Sequence, residues 1–201
     1  NLQAWHHEGR GHLSQPEPHL MQLNCVGSEQ GGAGCMAFLK PDLPDSIVIE
    51  YDFQVLTTNG LLITFIASQG RQGEDMITEL PERQGVFSDY IENPRLQSYH
   101  LSLSRYDDDG THTGVSNWRR NPGIFLMAQQ PDPCKTPNTW YHVTLVKAYD
   151  LLQLAIDGEQ VGGFRDRDEI PTPIPRAGKI GFRAIGSHVI AQIKNLSVRK
   201  L

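Results

Sequence analysis

The sequence predicts an antiparallel β-sandwich, an all-β fold in which two sheets pack face to face. Apolar and polar residues alternate with a period of two, which is typical of strands with one buried face. Gly, Pro and Asx-Gly pairs interrupt every apolar stretch, and no amphipathic helical pattern of useful length occurs. With 201 residues, of which 38% are hydrophobic, we expect a single domain spanning residues 1–201.

The predicted strands follow one another along the whole chain. Residues 47–56 alternate most strictly, with Ile47 and every second residue to Val55 expected in the core. Asn59-Gly60 predicts a turn, and Asp157-Gly158 predicts a tight hairpin. The other predicted strands are residues 61–67, 124–130, 140–147, 151–157, 160–165, 179–184 and 188–201, with edge or outer strands at 20–26 and 35–39.

Residues 98–122 are expected to form two antiparallel strands joined by an acidic turn. The first strand carries a polar set that we expect to face solvent, consisting of His100, Ser102 and Ser104. In the returning strand Asn117 and Arg119 point to one side, while Trp118 and Arg120 point to the other. Hydrogen-bonding groups beside aromatic rings suit a sugar, whose hydroxyls need partners and whose C–H face packs on a ring. The sequence therefore predicts a carbohydrate-binding face.

Residues 68–93 form the longest stretch without clear periodicity, and they include Phe87 and Tyr90. Long irregular segments in compact domains are often binding loops. The charged residues of interest in this segment are Arg71, Glu74 and Asp75. Two interpretations remain open, since these residues either fold over the His100 face or form surface ion pairs.

Composition and charge exclude several classes of partner. The net charge is -5 and no stretch is rich in Lys and Arg, so we expect no nucleic-acid partner. No apolar run approaches the roughly 20 residues that a bilayer span needs, so we expect no membrane insertion. The N-terminus lacks the features of a signal peptide. We therefore expect a periplasmic or extracellular location if a signal peptide was removed, and a cytoplasmic location otherwise.

Cysteine and metal chemistry give few further leads. Cys25 and Cys35 flank a glycine-rich stretch, and both a disulfide and two buried thiols remain open. No His, Cys and carboxylate cluster has transition-metal spacing. Residues 107–110 read Asp-Asp-Asp-Gly, but the downstream glutamate of a calcium-binding EF-hand loop is absent. We expect neither a required metal nor a cofactor.

Several stretches resemble known families. WYHVTLVKAYDLLQLAIDGEQVGGFRD, AGKIGFR and the closing NLSVRKL resemble the concanavalin A-like jelly roll of lectins, laminin-G-like modules and glycan-degrading enzymes. PDSIVIEYDF, LLITFIASQGRQGED, SYHLSLSR and SNWRRNPGIFLMAQ resemble the YesU-like bacterial family over most of the chain. The resemblance implies a two-sheet jelly roll and a setting in the degradation of rhamnogalacturonan and other uronate-containing polysaccharides. It assigns no catalytic residue.

The leading functional hypothesis is a lyase or dehydratase acting on uronate-containing oligosaccharides. Such an enzyme removes the C5 proton and expels the C4 substituent, so it needs a cation on the carboxylate, a base and an acid. Arg119 or Arg120 is a candidate for the carboxylate, and His100 is the candidate base. The candidate tyrosine acids or bases are Tyr90, Tyr141 and, less well placed, Tyr99.

Two alternatives stay open. In the first, the same face binds a glycan without turnover, through Asn117, Arg119 and His100, with Trp118 as a stacking plane. The further candidate ligand-binding residues for either function are Ser102, Ser104, Arg120, Arg71, Glu74, Asp75 and Gln129. In the second, the protein is a retaining glycoside hydrolase. Glu50 and Asp52 resemble the laminarinase-like motif, but Gln54 stands where the acid/base glutamate belongs.

Overall fold

The computed structural model describes residues 1–25, 34–186 and 189–201. These residues form fourteen strands in two antiparallel sheets of seven strands each, which confirms the predicted two-sheet jelly roll. Helical structure in these residues consists of a 3-10 turn, Leu2–Ala4, and the helix α1, Ser88–Ile91. Within the same residues, no helix has the length and apolar character to cross a membrane.

The chain crosses between the two sheets several times. In chain order they are β1 (Trp5–Gly9), β2 (His12–Glu17), β3 (Leu20–Asn24), β4 (Cys35–Leu39), β5 (Ile47–Val55), β6 (Leu61–Gly70), β7 (Leu96–Leu103), β8 (Val115–Asn121), β9 (Phe125–Pro131), β10 (Tyr141–Ala148), β11 (Leu151–Ile156), β12 (Glu159–Arg165), β13 (Lys179–Ile185) and β14 (Ile190–Lys200). Sheet A has the order β1-β4-β13-β6-β7-β8-β9, and sheet B has the order β12-β11-β10-β5-β14-β3-β2. Strands β6 to β9 thus lie together in one sheet, and β10 to β12 lie together in the other.

Both sheets end, on one side, in a strand that the sequence did not predict. Strands β3 and β4, expected as edge or outer strands, are each second from the edge, because β2 and β1 pair outside them. Both outer strands are rich in polar residues, so hydrophobic periodicity does not mark them. Two residues at the ends of predicted strands, Val26 and His188, lie outside the described residues.

The main core lies between the sheets and follows the predicted alternation. The alternate residues of β5 from Ile47 to Val55 are buried there, and Glu50, Asp52 and Gln54 lie on the other face. From sheet A, Tyr99, Leu101 and Leu103 of β7 enter the same core. Burying a large apolar side chain contributes about 1.5 to 3 kcal/mol, so these alternating rows fix the register of both strands.

A second, smaller core lies on the outer face of sheet A. It forms where residues 71–95, which we call the strap, pack on part of this face. The strap residues Met76, Leu80, Tyr90 and Ile91 pack against a row of sheet residues. That row consists of Met36, Phe38, Ile63, Phe65 and Leu96. Because the strap and the main core cover opposite faces of the sheet, all eight residues of β7 are buried.

Buried polar contacts also hold the strap to the sheet. Glu8 of β1 is 4% exposed and accepts hydrogen bonds from the Arg83 guanidinium and the Tyr90 hydroxyl. Arg83 also donates to the carbonyl oxygen of Met76 at 2.8 Å. From β13, Arg183 donates to the carbonyl of Gly85 at 2.9 Å. The strap is therefore fastened to both β1 and β13.

The three cysteines are buried thiols outside any disulfide, so of the two alternatives at Cys25 and Cys35 the structure has the thiols. The amide of Cys35 donates to the sulfur of Cys25 at 3.0 Å. The hydrogen bond between the two side chains, followed by burial, raises the pKa of Cys35. The glycine-rich stretch between them, residues 26–33, lies outside the described residues.

Candidate functional site

The pairing of β7 with β8 decides which predicted site residues share a face. His100 lies opposite Arg119, and Leu101 lies opposite Trp118. Directly opposed residues of antiparallel strands point to the same side of a sheet. His100 and Arg119 therefore share the outer face of sheet A, as predicted, whereas Trp118 points into the sandwich.

His100 does not face solvent, so that prediction is wrong. Its side chain lies under the strap, with ring centres 5.5 Å from Phe65 and 5.9 Å from Phe87. His100 is 3% exposed, and its Nδ1 atom is 3.0 Å from the side-chain nitrogen of Asn121. Burial, followed by the charges of Arg119 and Arg183, lowers the pKa of His100 to about 3. The imidazole is neutral at neutral pH and shielded from a ligand.

Trp118 and Arg120 are structural residues of the core, which contradicts their predicted contact with a sugar. Trp118 is fully buried and packs edge to face on Phe164 at 5.7 Å between ring centres. The fully buried Arg120 lies 2.8 and 2.9 Å from the two carboxylate oxygens of Asp166. The hydroxyl of Tyr99 donates to the same carboxylate. Arg120 therefore neutralises a buried charge, and only Arg119 of this pair lies on the outer face.

The candidate tyrosine acids do not form an exposed acid–base pair with His100, although Tyr90 and His100 both pack on the Phe65 ring. Tyr90 is 2% exposed and its hydroxyl is held by Glu8; burial and the Glu8 charge raise its pKa. Tyr141 lies in β10 of sheet B and faces the core, where its hydroxyl accepts a hydrogen bond from the Thr136 amide at 3.0 Å. The expected exposed acid and base pair for elimination is therefore absent from these residues.

The charged strap residues form the ion-pair loop of the second interpretation. Arg71 is exposed and donates to the carbonyl of Pro94 at 3.4 Å. Glu74 lies 3.8 Å from Arg95. Asp75 lies 2.8 Å from the buried ammonium of Lys179. The first two contacts lie within the strap, and the third fastens the strap to β13. None of them directs a charged group to His100.

Beyond the strap, the outer face of sheet A has exposed residues in β9, namely Leu126 and Gln129, beside the half-buried Arg119 of β8. We call this surface the β8–β9 patch, and it consists of these three residues and of Ser102 and Asn117, which are buried. Asn117 lies opposite Gln129 and accepts a hydrogen bond from its amide at 3.0 Å. The backbone N–H of Asn117 donates to Ser102 Oγ at 3.1 Å. Leu126, opposite Arg119, is 54% exposed. The patch thus places polar groups and an exposed apolar side chain next to one guanidinium.

Ser104 is separate from the β8–β9 patch, contrary to the prediction that it shares the His100 face. It follows the last residue of β7, has a positive φ of 51° and is fully buried. The strict alternation of a strand therefore ends at Leu103, because Ser104 begins the turn to β8.

Arg119 gives the β8–β9 patch a positive charge that is held in place. Its guanidinium is half-buried and donates to the carbonyl of Ile124 at 2.8 Å. Burial lowers the pKa of Arg119, and the positive charge of nearby Arg105 lowers it further. The ion pairs that arginines form within the described residues involve neither Arg119 nor Arg105. Two neighbouring cations without a carboxylate partner favour an anionic ligand.

The outer face of sheet B carries a second polar cluster, which sequence reasoning found only in part. Asp52 of β5 lies opposite His142 of β10, and its carboxylate is 2.7 Å from His142 Nδ1. Asn195 donates to the other carboxylate oxygen at 2.6 Å. Burial raises the pKa of Asp52, but the bonds from His142 and Asn195 outweigh it and lower the pKa overall. His142 was missed because the pairing of β5 with β10 is not visible in the sequence.

Metal chemistry finds no support at either surface. Across residues 1–25, 34–186 and 189–201, no group of three or more His, Cys, Asp or Glu side chains is arranged to hold a metal ion.

Fold and site together define a two-sheet jelly roll with one half-covered sheet, whose open half presents polar groups beside an arginine. Lectins and glycan-binding modules share this architecture. The chain belongs to the family described as domain of unknown function DUF1961, whose model matches residues 1–198.

Comparison with known proteins agrees with this assignment. The chain is 28% identical over 189 residues to the uncharacterized protein YesU of Bacillus subtilis, covering 91% of this chain and 83% of that protein. A crystal structure of a Bacillus subtilis protein of unknown function with a galectin-like fold has a TM-score of 0.87 and 25% identity, over 99% of this chain and 90% of that one. The Bacillus subtilis carbohydrate-binding module CBM66 has a TM-score of 0.64 at 12% identity, over 98% and 96% of the two chains, and shows a shared fold.

Proposed function

We propose that the protein binds uronate-containing oligosaccharides on the β8–β9 patch, and that binding is the activity of this face. The observation that carries the proposal is Arg119, a fixed guanidinium beside Arg105 without an ion-pair partner in the described residues. A planar guanidinium matches the two oxygens of a carboxylate, so a uronate is a better partner than a neutral sugar.

The remaining patch residues suit the other parts of a uronate ring. The amides of Asn117 and Gln129 are already bonded to each other, which holds both in place while Gln129 stays exposed. An amide offers both donors and an acceptor to sugar hydroxyls. Leu126 provides an apolar contact for the C–H face of a ring. Carboxylate, hydroxyl and C–H recognition are thus all available within one patch.

Structural neighbours give independent support for a sugar ligand. One is named a carbohydrate-binding module, and another is the carbohydrate recognition domain of Emp46p, with a TM-score of 0.65. The uronate specificity rests on the arginines and on the family resemblance.

The lyase or dehydratase hypothesis is less well supported by the geometry. Elimination needs a base at C5 and an acid at O4 within hydrogen-bond reach of the ring. His100 lies under the strap with a pKa of about 3, and burial raises the pKa of Tyr90 and Tyr99. An enzyme acting on this patch would need catalytic groups other than these three.

Calorimetric titration with uronate oligosaccharides and their uncharged, carboxyl-reduced counterparts tests the proposal. We expect saturable binding of the uronates only. Arg119→Gln should weaken it at least about tenfold, because charge-assisted hydrogen bonds are worth about 1.5 to 3 kcal/mol. The matched control is Arg165→Gln, which removes an exposed guanidinium paired with Asp150 on sheet B. Equal affinity for charged and reduced sugars, or unchanged binding by Arg119→Gln, would disprove the proposal.

The same protein and oligosaccharide mixtures separate binding from turnover. Elimination creates a C4=C5 double bond that absorbs in the ultraviolet, so the absorbance of each mixture is recorded over time. We expect no rise. A rise that depends on protein concentration would instead establish the lyase hypothesis.

A further inference from the structure

A groove of about 290 Å³ opens at the end of the sandwich where β1, β3 and β14 meet. Its apolar lining includes Trp5, Leu20 and Leu196, and its polar lining includes Gln15, His19 and Asn195. Trp5 is half-buried, and its ring packs against Phe182 at 5.7 Å between ring centres. An aromatic ring supported from behind and open in front is suited to contact with a ligand.

The backbone around this groove is irregular at two lining residues. His19 and Asn195 have positive φ angles of 65° and 55°, which non-glycine residues rarely adopt. The pairing of β14 with β5 shifts between Lys194 and Ser197, so Asn195 lies in a β-bulge. Bulges redirect side chains and occur often next to binding sites. In this bulge Asn195 lines the groove, and its side-chain amide donates a hydrogen bond to Asp52.

The charges at the groove argue for a neutral ligand. Lys194 also lines the groove, but its ammonium lies 3.8 Å from the centre of the Trp140 ring and is engaged there. The other polar lining groups named above are amides and an imidazole, which pair with hydroxyls. An apolar contact area with neutral polar groups around it matches the apolar C–H face and the hydroxyls of a sugar ring.

We propose that this groove binds one uncharged sugar ring, as found at the end of a glycan chain. Trp5 packs on the ring, and Asn195 and His19 hydrogen-bond to its hydroxyls. The groove and the β8–β9 patch are separate sites, since β1 and β9 are the opposite edges of sheet A. The proposal goes beyond the proposed function and does not depend on it.

The contact between Asn195 and Asp52 provides a readout outside the groove. Asp52 is also bonded to His142, which is exposed on sheet B and does not line the groove. A ligand that moves the Asn195 amide will therefore change the surroundings of His142. We expect its imidazole NMR signals to shift as the groove fills.

The test uses a panel of uncharged methyl glycosides and follows tryptophan emission and the His142 signals. We expect at least one glycoside to change both in a saturable way. Asn195→Gly keeps the positive φ without strain and removes the amide, so it should weaken that binding at least about tenfold. His19→Gly should do the same. The control Thr144→Ala, on the outward face of β10 in the same sheet, should bind like the wild type.

Two outcomes would overturn the proposal. One is the absence of a saturable change with every glycoside in the folded wild-type protein. The other is binding that Asn195→Gly and His19→Gly leave as strong as in the Thr144→Ala control. Both outcomes leave uronate binding by Arg119 untouched, so failure at the groove is distinct from failure at the β8–β9 patch.

Discussion

Replacing Asp166 by Asn should strongly lower the stability of the folded protein. Within the described residues, the Asp166 carboxylate is the only buried carboxylate that forms an ion pair with Arg120. Asp166 and Arg120 both have fully buried side chains. The Asp166 carboxylate accepts hydrogen bonds from Arg120 and from Tyr99. Once its charge is lost, the buried guanidinium keeps only the exposed carboxylate of Asp168 as an ion-pair partner.

The size of the effect follows from burial. Removing one partner of a buried ion pair destabilises a protein by about 3 to 5 kcal/mol. For a chain of this size each kcal/mol lowers the melting temperature by about 2 to 4 °C, so we expect a fall of about 6 to 20 °C. Asp168 is the matched control, because it lies 3.3 Å from the same guanidinium but its side chain is 63% exposed. Asp168→Asn should change stability by no more than about 1 kcal/mol.

Urea unfolding of the wild type and both variants, followed by tryptophan emission, measures these differences. The slope against urea concentration should stay the same while the midpoint falls for Asp166→Asn alone. If the two variants were equally stable, Arg120 would not depend on its buried partner. The assignment of Arg120 to structure and of Arg119 to ligand binding would then fail.

Two further predictions concern buried groups. His100 has a folded pKa of about 3 against an ordinary 6.5, so the unfolded chain takes up its proton first and stability is lost as pH falls from about 6.5 towards 3. This contributes about 1.4 kcal/mol per pH unit, and acid unfolding of His100→Gln should lack that slope. The cysteines should resist a thiol reagent in the native protein and yield three thiols after unfolding without reductant; a yield of one would mean that Cys25 and Cys35 are disulfide-bonded.

The sequence was sufficient to predict the sandwich and the faces of individual strands. In β5 and β7 a shift of one residue in the pairing register would move the large apolar side chains from the core to the outer surface. Only one of the two orientations of each strand is therefore stable. The same rule separated Arg119 from Arg120 correctly. These features depend on local periodicity, which a single sequence contains.

Exposure could not be predicted in the same way, because it depends on what packs over a face. The strap, which joins β6 to β7, folds back over β7 and buries His100 with Phe87, although nothing in the alternation of β7 changes. The pair of Asp52 and His142 has the same origin, since residues far apart in sequence meet only when β5 and β10 pair. Long-range contacts therefore decided which polar residues remain on the surface.

The attachment of the strap to Glu8 makes the solubility of the protein depend on its first strand. Glu8 belongs to β1, an edge strand of five residues that a protease can reach more easily than a central strand. Cleavage after Gly9 would leave Arg83 and Tyr90 without their carboxylate partner and loosen the strap. Phe38 and Phe65 would then form an exposed aromatic surface of the kind that drives self-association. Limited trimming of the N-terminus would thus open a surface for aggregation on the outer face of sheet A.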